Sequence, residues 1–569
     1  MAEITGHRYL ARALAAAGVT HVFMVPTIVV PALAEMDALG IVGIMAHGEK
    51  AAAYMADGYA RLGRRPGFTF AQTVGAANLA AGLRDGYLAR SPVIAMTGGT
   101  TPMSRGRGVY QEIEDFPLYH QVTKYNAQLE DVHRLPDLLR QCFRAATTGA
   151  PGPVHLDLRG SIGNVLLDSL DPDGYGPPVE PTFLAAPALR PRPDADAVGR
   201  IAALIGQADR PVLVLGGGAR MSGAGAAALA VACRGQVPIA TSLNAKGICD
   251  ETDPLVVGVV GASSRKPANQ TLERADLVVF VGSATGTQVT DTWRLPKPGT
   301  TVVQIDIDPE QLGRNYPTTV AVQADARVAL EELAEVIEPG DHGPWLRETA
   351  EYVTSWRADA EAALASGDSP IRPERLCREL TDFLPDDGVL VVDTGHAGIW
   401  TADLIDLRPG QDLLRAAGSL GWSFPAAIGA QCAAPDRTVV CFTGDGGFYY
   451  HLAEVETAVR HGIAPIIVVN DNVSLSQDAK VFRSAWGGKD SVSERGELMW
   501  RFTDVDLASV AASLGAFSVR VEKPADLAPA LAEARAAGRI AIVDVVTNAE
   551  VFPPVPHGGR DFYSAAGQS

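Results

Sequence analysis

The chain has 569 residues, enough for three to four domains of about 150 each. It is 47% hydrophobic and 20% charged, a balance that excludes fibrous and intrinsically disordered classes. Its net charge of −18, from 48 basic and 66 acidic residues, argues against binding nucleic acid or an anionic membrane.

Residues 1–23 read as an amphipathic helix followed by a strand, without the basic start and apolar core of a signal peptide. No apolar run reaches the roughly 18–20 residues that span a bilayer. A first block, 1–170, alternates helical stretches with β runs at 22–25, 42–45, 67–71, 93–97 and 154–158. A Pro/Gly/Ala-rich link covers 171–193. A second block, 194–335, has runs at 211–216, 237–240, 277–282 and 301–307. A polar helical stretch, 330–367, leads to a third block, 370–550, with runs at 388–392, 438–442, 463–469 and 540–546, and then to a tail, 551–569. Such alternation predicts an α/β fold of three doubly wound parallel-sheet domains. The six cysteines form no Cys-x-x-Cys pair, which points to reduced thiols in a cytoplasmic protein and not to a zinc site.

Two strand ends in the third block carry the chemistry. The run 438–442 leads into Gly444-Asp445-Gly446-Gly447, and the run 463–469 into Asn470-Asp471-Asn472. Open α/β sheets bind ligands at the carboxyl ends of their strands. Asp445 and Asn472, 27 residues apart, each offer a hard oxygen suited to Mg²⁺ or Ca²⁺. Gly446 and Gly447 let backbone N–H groups approach phosphates, and the following helix adds its positive end. A turn aspartate beside an ordinary β-turn asparagine is the bland alternative. No Gly-x-Gly-x-x-Gly opens a βαβ unit, so a nicotinamide oxidoreductase is disfavoured.

The Gly-Asp-Gly…Asn pattern resembles the cofactor signature of the thiamine diphosphate enzymes of the acetolactate synthase-like superfamily. The resemblance runs over essentially the whole chain. It implies a pyrimidine-binding domain at 1–170, a central Rossmann-like domain at 194–335 and a diphosphate- and Mg²⁺-binding domain at 370–550. Asp445, Asn472 and the Ser474 carbonyl would be the metal ligands, with Gly444, Gly446 and Gly447 around the diphosphate. Retention of Glu49, Asp445 and Asn472 weighs against a non-catalytic regulatory paralogue.

Glu49 opens the stretch EKAAAYMADGYARLG, whose Ala52, Met55, Ala56 and Tyr59 share one helix face. Alone, it is a first-turn glutamate favoured by the helix dipole. Followed by Asp57-Gly58-Tyr59-Ala60-Arg61, it resembles the family's catalytic glutamate. That residue bonds N1′ of the aminopyrimidine and favours the 4′-imino tautomer that takes the C2 proton. Many relatives have Arg-His-Glu; this chain has His47-Gly48-Glu49, which argues against a catalytic His47.

The segment 70–78 resembles the family's Ser-Gly-Pro-Gly-x-x-Asn turn, with Val74 in place of Pro, and implies that Gly75 and Asn78 shape the pyrimidine end. Tyr110-Gln111-Glu112 stands where many relatives carry Phe-Gln-Glu, which makes Gln111 a substrate-orienting candidate; an exposed loop glutamine is the alternative. Gly395 and His396 would hold the diphosphate. The Gly418 carbonyl would accept from the 4′-amino group, and Leu420 would wedge the cofactor into its bent shape, although the residue pattern alone makes Leu420 a core residue. Gly217, Gly218, Asp306 and Asp325 match the family's nucleotide site, which holds FAD or ADP or is empty.

The resemblance implies 2-oxoacid decarboxylation with carboligation, or a 2-hydroxyacyl-CoA or oxalyl-CoA-type lyase with ADP in the central domain. The substrate is accordingly an oxoacid or an acyl-CoA. Val473-Ser474-Leu475 departs from the best-known carboligases and keeps the second branch open. The tail would cover the site or meet a bulky substrate, or be a plain surface tail. A homodimer is the minimum unit, with Glu49 from one chain facing the Asp445 site of the other; a homotetramer is common.

Overall fold

The computed structural model describes residues 3–172 and 179–554. Three six-stranded sheets follow one another along the chain, and every pairing within them is parallel. Central strands such as Pro211–Leu215 (PVLVL) and Leu277–Val281 (LVVFV) are buried throughout, as strands covered by helices on both faces must be.

The first sheet runs Val42–Met45, His21–Met24, Gly67–Ala71, Val93–Gly99, Val154–Arg159, Tyr125–Leu129 from edge to edge. In chain order this is 2-1-3-4-6-5. The third sheet repeats that order with Asp412–Arg415, Val389–Val392, Val439–Gly444, Ile466–Asp471, Ala541–Val546 and Phe517–Val521. The middle sheet differs. Its order is Val256–Val259, Ile239–Thr241, Pro211–Leu215, Leu277–Val281, Thr301–Asp306, Val320–Gln323, or 3-2-1-4-5-6. That is the order in which dinucleotides bind where the strand sequence reverses.

Each expected β run has a strand, with ends shifted by up to three residues. Within the three six-stranded sheets five further strands were not expected: Tyr125–Leu129, Val256–Val259, Val320–Gln323, Asp412–Arg415 and Phe517–Val521. All five are sheet edges. An edge strand can keep one face wet, as Val320–Gln323 does with its alternating burial, whereas Val256–Val259 (VVGV) is buried throughout and was overlooked despite its apolar run.

The first and third domains share one apolar core, in which helices Glu49–Gly63 and Ser423–Ala433 lie face to face. A Cβ on Gly58 would overlap the Ala426 backbone, and one on Gly429 the Met55 backbone, so only glycine permits this approach. Helix Gly343–Leu364 joins the middle and third domains. Among the described residues no helix is long and apolar enough to cross a membrane. All six cysteines are free, and five are buried. Residues 555–569, most of the tail, lie outside the described residues.

Candidate functional site

In the third domain, the strand order reverses between Val389–Val392 and Val439–Gly444. Asp445 begins the short helix Asp445–Tyr449 at the end of the second of these. It is 3% exposed; Oδ1 accepts from the Gly446 N–H at 2.6 Å and Oδ2 from the Ser474 N–H at 2.8 Å. Ser474 Oγ donates to Asn472 Oδ1 at 2.9 Å, and Asn472 Nδ2 donates to Ser476 Oγ at 3.0 Å. Ser476 Oγ is 2.8 Å from His396 Nδ1. Ser476 Oγ can give its hydrogen to Nδ1 while accepting from Asn472, an arrangement that would place the ring proton on His396 Nε2. Burial, with help from Lys480, lowers the His396 pKa to about 4, so the ring is a neutral donor near pH 7.

Val473, between the two candidate ligands, has φ 58°. A β-branched residue in the left-handed region is strained, and this kink turns Asn472 and Ser474 toward Asp445. Burial and the neighbouring Asp471 raise the Asp445 pKa to about 8. Asp471 lies 3.6 Å from Arg520, which is itself 2.9 Å from Asp544. A cation beside such a buried carboxylate would favour its charged form. One carboxylate, one amide and one backbone carbonyl fit a hard ion that keeps water or phosphate oxygens. No group of three or more His, Cys, Asp or Glu side chains suited to a metal occurs among the described residues, so this mixed set is the metal candidate.

The floor beside Asp445 has no room for side chains. A Cβ on Gly446 would come within 2.5 Å of Leu475 Cδ2, and one on Gly447 within 2.6 Å of Thr443 Oγ1. Gly395, at φ 74°, caps helix His396–Leu404. The fully buried Asp393 accepts from the N–H groups of Thr394, Gly421 and Ser423 at 2.8, 3.0 and 3.2 Å. It thereby ties the 418–423 segment to the same sheet edge. Leu420 is half-buried and outside the apolar core clusters, unlike an ordinary core leucine.

In the first domain Glu49 begins helix Glu49–Gly63 after the edge strand Val42–Met45. Asn78 Nδ2 donates to Glu49 Oε2 at 3.2 Å, and a Cβ on Gly75 would overlap the Glu49 carboxylate. Gly75, Asn78 and Glu49 therefore form one group. His47 is engaged elsewhere: its N–H donates to Glu454 at 3.1 Å and its Nε2 lies 2.7 Å from Glu456. Gln111, at φ 61°, lies on a loop closed by Glu112, which accepts from the N–H groups of Gly106, Gly108 and Val109. No hydrogen bond or ion pair among the described residues joins Gln111 or Glu49 to the Asp445 group. Phe552, at the start of the tail, meets the His396 ring edge-on at 5.9 Å.

Sequence reasoning missed Asp85. This residue of helix Ala76–Leu88 is fully buried and holds three backbone N–H groups of the third domain. An aspartate inside a helix, more than three hundred residues from its partners, gives no sequence signal of such a role.

The middle domain places Gly217, Gly218, Asp306 and Asp325 around one cavity of about 440 Å³, also lined by Arg90. Asp325 is heavily engaged. It caps helix Ala326–Val336 through the N–H groups of Arg327 and Val328, and it binds Arg190 at 3.0 Å and Ser222 Oγ at 2.8 Å. The Asp306 carboxylate accepts from the Asp308 N–H at 2.9 Å, and burial raises its pKa to about 6.

Comparison with known proteins agrees with this layout. Residues 4–118 match the N-terminal TPP binding domain of thiamine pyrophosphate enzymes, 198–333 the central domain and 393–545 the C-terminal TPP binding domain. The chain is 30% identical to a protein named "Probable acetolactate synthase large subunit" in Methanocaldococcus jannaschii, over 98% of this chain and 94% of the relative. It is 28% identical to the acetolactate synthase isozyme 1 large subunit of Escherichia coli, over 91% and 89%, and 30% identical to that of isozyme 2, over 83% and 84%. A chain with all three modules in order, and full-length similarity to such relatives, belongs to the thiamine pyrophosphate enzyme family.

Proposed function

We propose that this enzyme uses thiamine diphosphate and Mg²⁺ to decarboxylate one 2-oxoacid and join its remainder to a second carbonyl compound, as an acetolactate synthase does. The observation that carries the cofactor assignment is the buried Asp445 carboxylate, bonded to the Ser474 N–H above a glycine floor. The names of the relatives favour 2-oxoacid carboligation over the acyl-CoA lyase branch. When bound, thiamine diphosphate supplies a carbon that adds to a carbonyl and a sink for the electrons of the bond broken beside it.

The residues have separable tasks. Asp445, Asn472 and the Ser474 carbonyl would hold Mg²⁺, and His396 would donate Nε2–H to a diphosphate oxygen. Glu49 exchanges a proton with N1′ of the aminopyrimidine, with Asn78 orienting its carboxylate. The Gly418 carbonyl would accept from the cofactor's 4′-amino group, and Leu420 would pack against its rings and favour the reactive arrangement. Gln111 orients the substrate carbonyl. Among the described residues no hydrogen bond or ion pair links Glu49 to Asp445, which supports a site completed by a second copy, in a dimer or tetramer. The middle cavity, about 440 Å³, is within the usual range for small ligands and would take ADP or FAD.

The test is to incubate the protein with thiamine diphosphate, Mg²⁺ and ¹³C-labelled pyruvate and to follow the carbon by NMR. Labelled acetolactate is the expected product. Untouched pyruvate with the cofactor demonstrably bound would sink the pyruvate reading and move the assignment to a bulkier oxoacid or an acyl-CoA. Glu49→Gln should cut turnover by about 100-fold or more while the fold is kept.

A further inference from the structure

We propose that Asp85 is a positioning residue that sets the Gly418 carbonyl from the neighbouring domain; this rests on the reading of Gly418 and Leu420 as cofactor contacts. Asp85 Oδ1 accepts from the Ala417 N–H at 2.8 Å, and Oδ2 from the N–H groups of Gly418 and Ser419 at 3.1 and 3.0 Å. Three consecutive amides thus converge on one carboxylate. Asp85 is 0% exposed, so water does not compete for it. Hydrogen bonds to an ionised acceptor in a dry site are the strong class, and three of them fix the orientation of the peptide planes between Ala417 and Ser419. The Gly418 carbonyl belongs to one of those planes. A Cβ at Gly418 would meet nothing within 4 Å, so the turn is not held by packing at this residue.

Asp85 is itself held. Arg61 donates to its Oδ1 at 2.8 Å and to Asp57 Oδ2 at 2.5 Å, and gives a further bond to the Arg415 carbonyl at 2.7 Å. Asp57 Oδ2 in turn accepts from Trp422 Nε1 at 2.8 Å. Helix Ala76–Leu88 therefore has two duties. Near its start Asn78 orients Glu49, and two turns later Asp85 orients the 417–419 turn, roughly 10 Å along a rigid element. One helix thus holds Glu49, which faces the site completed with a second copy, and the 417–419 turn of its own chain.

The test compares Asp85→Asn with Asp57→Asn, which removes a buried carboxylate of the same network without touching the three amides. Backbone amide exchange of a peptide spanning 416–420 is measured by mass spectrometry on the protein without cofactor. Exchange of the C2 proton of thiamine diphosphate is then measured by quenched NMR on the protein with Mg²⁺ and cofactor, per mole of cofactor bound. For Asp85→Asn we expect amide exchange at least tenfold faster and C2 exchange at least tenfold slower. Asp57→Asn should stay within threefold of the unaltered protein in both. Unchanged amide protection in Asp85→Asn overturns the clamp. Faster amides with an unaltered C2 rate overturn the positioning role, as does an equal C2 loss in both variants, which would mark a merely structural network. Should Asp85→Asn not retain cofactor, Asp85→Glu, which keeps a carboxylate for Arg61 but displaces it by one methylene, is read by the same criteria. A Glu49→Gln protein with the unaltered C2 rate would overturn the assignment of Glu49 instead, while the amide measurement still decides the clamp.

Discussion

The middle and third domains place glycine-rich strand ends at the point where the strand order reverses, yet they build different sites there. In the third domain the glycine-rich turn holds the buried Asp445, and the next strand brings Asn472 and Ser474 to it. In the middle domain Gly217 and Gly218 face a cavity of about 440 Å³, and Asp325, the better-placed carboxylate, is consumed by Arg190, Ser222 and a helix end. On the proposed reading, the same architecture supports a metal–diphosphate site in one case and an organic-ligand cavity in the other. The difference lies in the partners of the carboxylate: two backbone N–H groups at Asp445, against a guanidinium, a hydroxyl and a helix end at Asp325.

The sharpest way to break this contrast is to remove one aspartate from each site. Asp445→Ala should weaken Mg²⁺-dependent thiamine diphosphate binding by about 100-fold or more, since it removes the one carboxylate of the ligand set. Asp306→Ala should leave that binding within about threefold, because no hydrogen bond among the described residues joins Asp306 to the Asp445 group. Titration by intrinsic fluorescence measures both. Equal losses would mean that the middle cavity belongs to the same site, and the division would fail.

A stability measurement comes next in size. Asp325→Ala should destabilise the protein by about 2 kcal/mol or more, as it removes a helix cap and leaves Arg190 and Ser222 short of their partner. Asn472→Ala should cost under about 1 kcal/mol, because its bonds are to hydroxyls that can turn elsewhere. The midpoints of denaturant unfolding decide it; a larger loss for Asn472→Ala would make the metal site a structural element.

The sequence made these two sites legible to different degrees. The third-domain site could be read because Asp445 and Asn472 end adjacent strands, so their spacing is set by one strand–helix–strand unit. Glu49 needed the family pattern, since a glutamate in a first helical turn also suits the helix dipole. Asp85 was invisible, for its partners are brought to it only by the packing of two domains. Asp325-Ala326-Arg327 carries a helix-start signal, and in the structure that role occupies its carboxylate. Two of the five overlooked strands show the same limit from the side of the fold: Tyr125–Leu129 and Asp412–Arg415 mix polar and apolar residues because an edge is covered less than a centre.

The middle cavity also predicts a pH dependence. Burial holds the Asp306 carboxyl at about 6, above its ordinary value of 3.8. A carboxyl raised in the folded state favours folding below its unfolded pKa, and that contribution is lost as pH rises through the folded value. Between about pH 4 and pH 6 the native protein should therefore lose up to about 3 kcal/mol that an Asp306→Asn protein does not lose. Asp306→Asn should melt at a higher temperature than the unaltered protein at pH 8 and not at pH 4. Parallel melting curves for the two proteins would show that Asp306 is solvated through the cavity and carries no strain.

The smallest effect concerns the strain at the metal site. Val473 pays the left-handed penalty of about 1–2 kcal/mol for a residue with a Cβ, while glycine there would add about 0.5–1 kcal/mol of backbone entropy to the cost of folding. Val473→Gly should accordingly be neutral or stabilising by up to about 1 kcal/mol in the absence of metal. The kink also holds Asn472 and Ser474 together, with the Asp471 carboxylate accepting from the Val473 N–H at 3.1 Å. A freer turn must be ordered when the metal binds, so the same change should weaken Mg²⁺-dependent cofactor binding about threefold to tenfold. Stability and affinity moving in opposite directions is the mark of strain stored for function. A Val473→Gly protein that loses more than about 1 kcal/mol of stability would show instead that the Val473 side chain is held by packing and that the kink is incidental to the site.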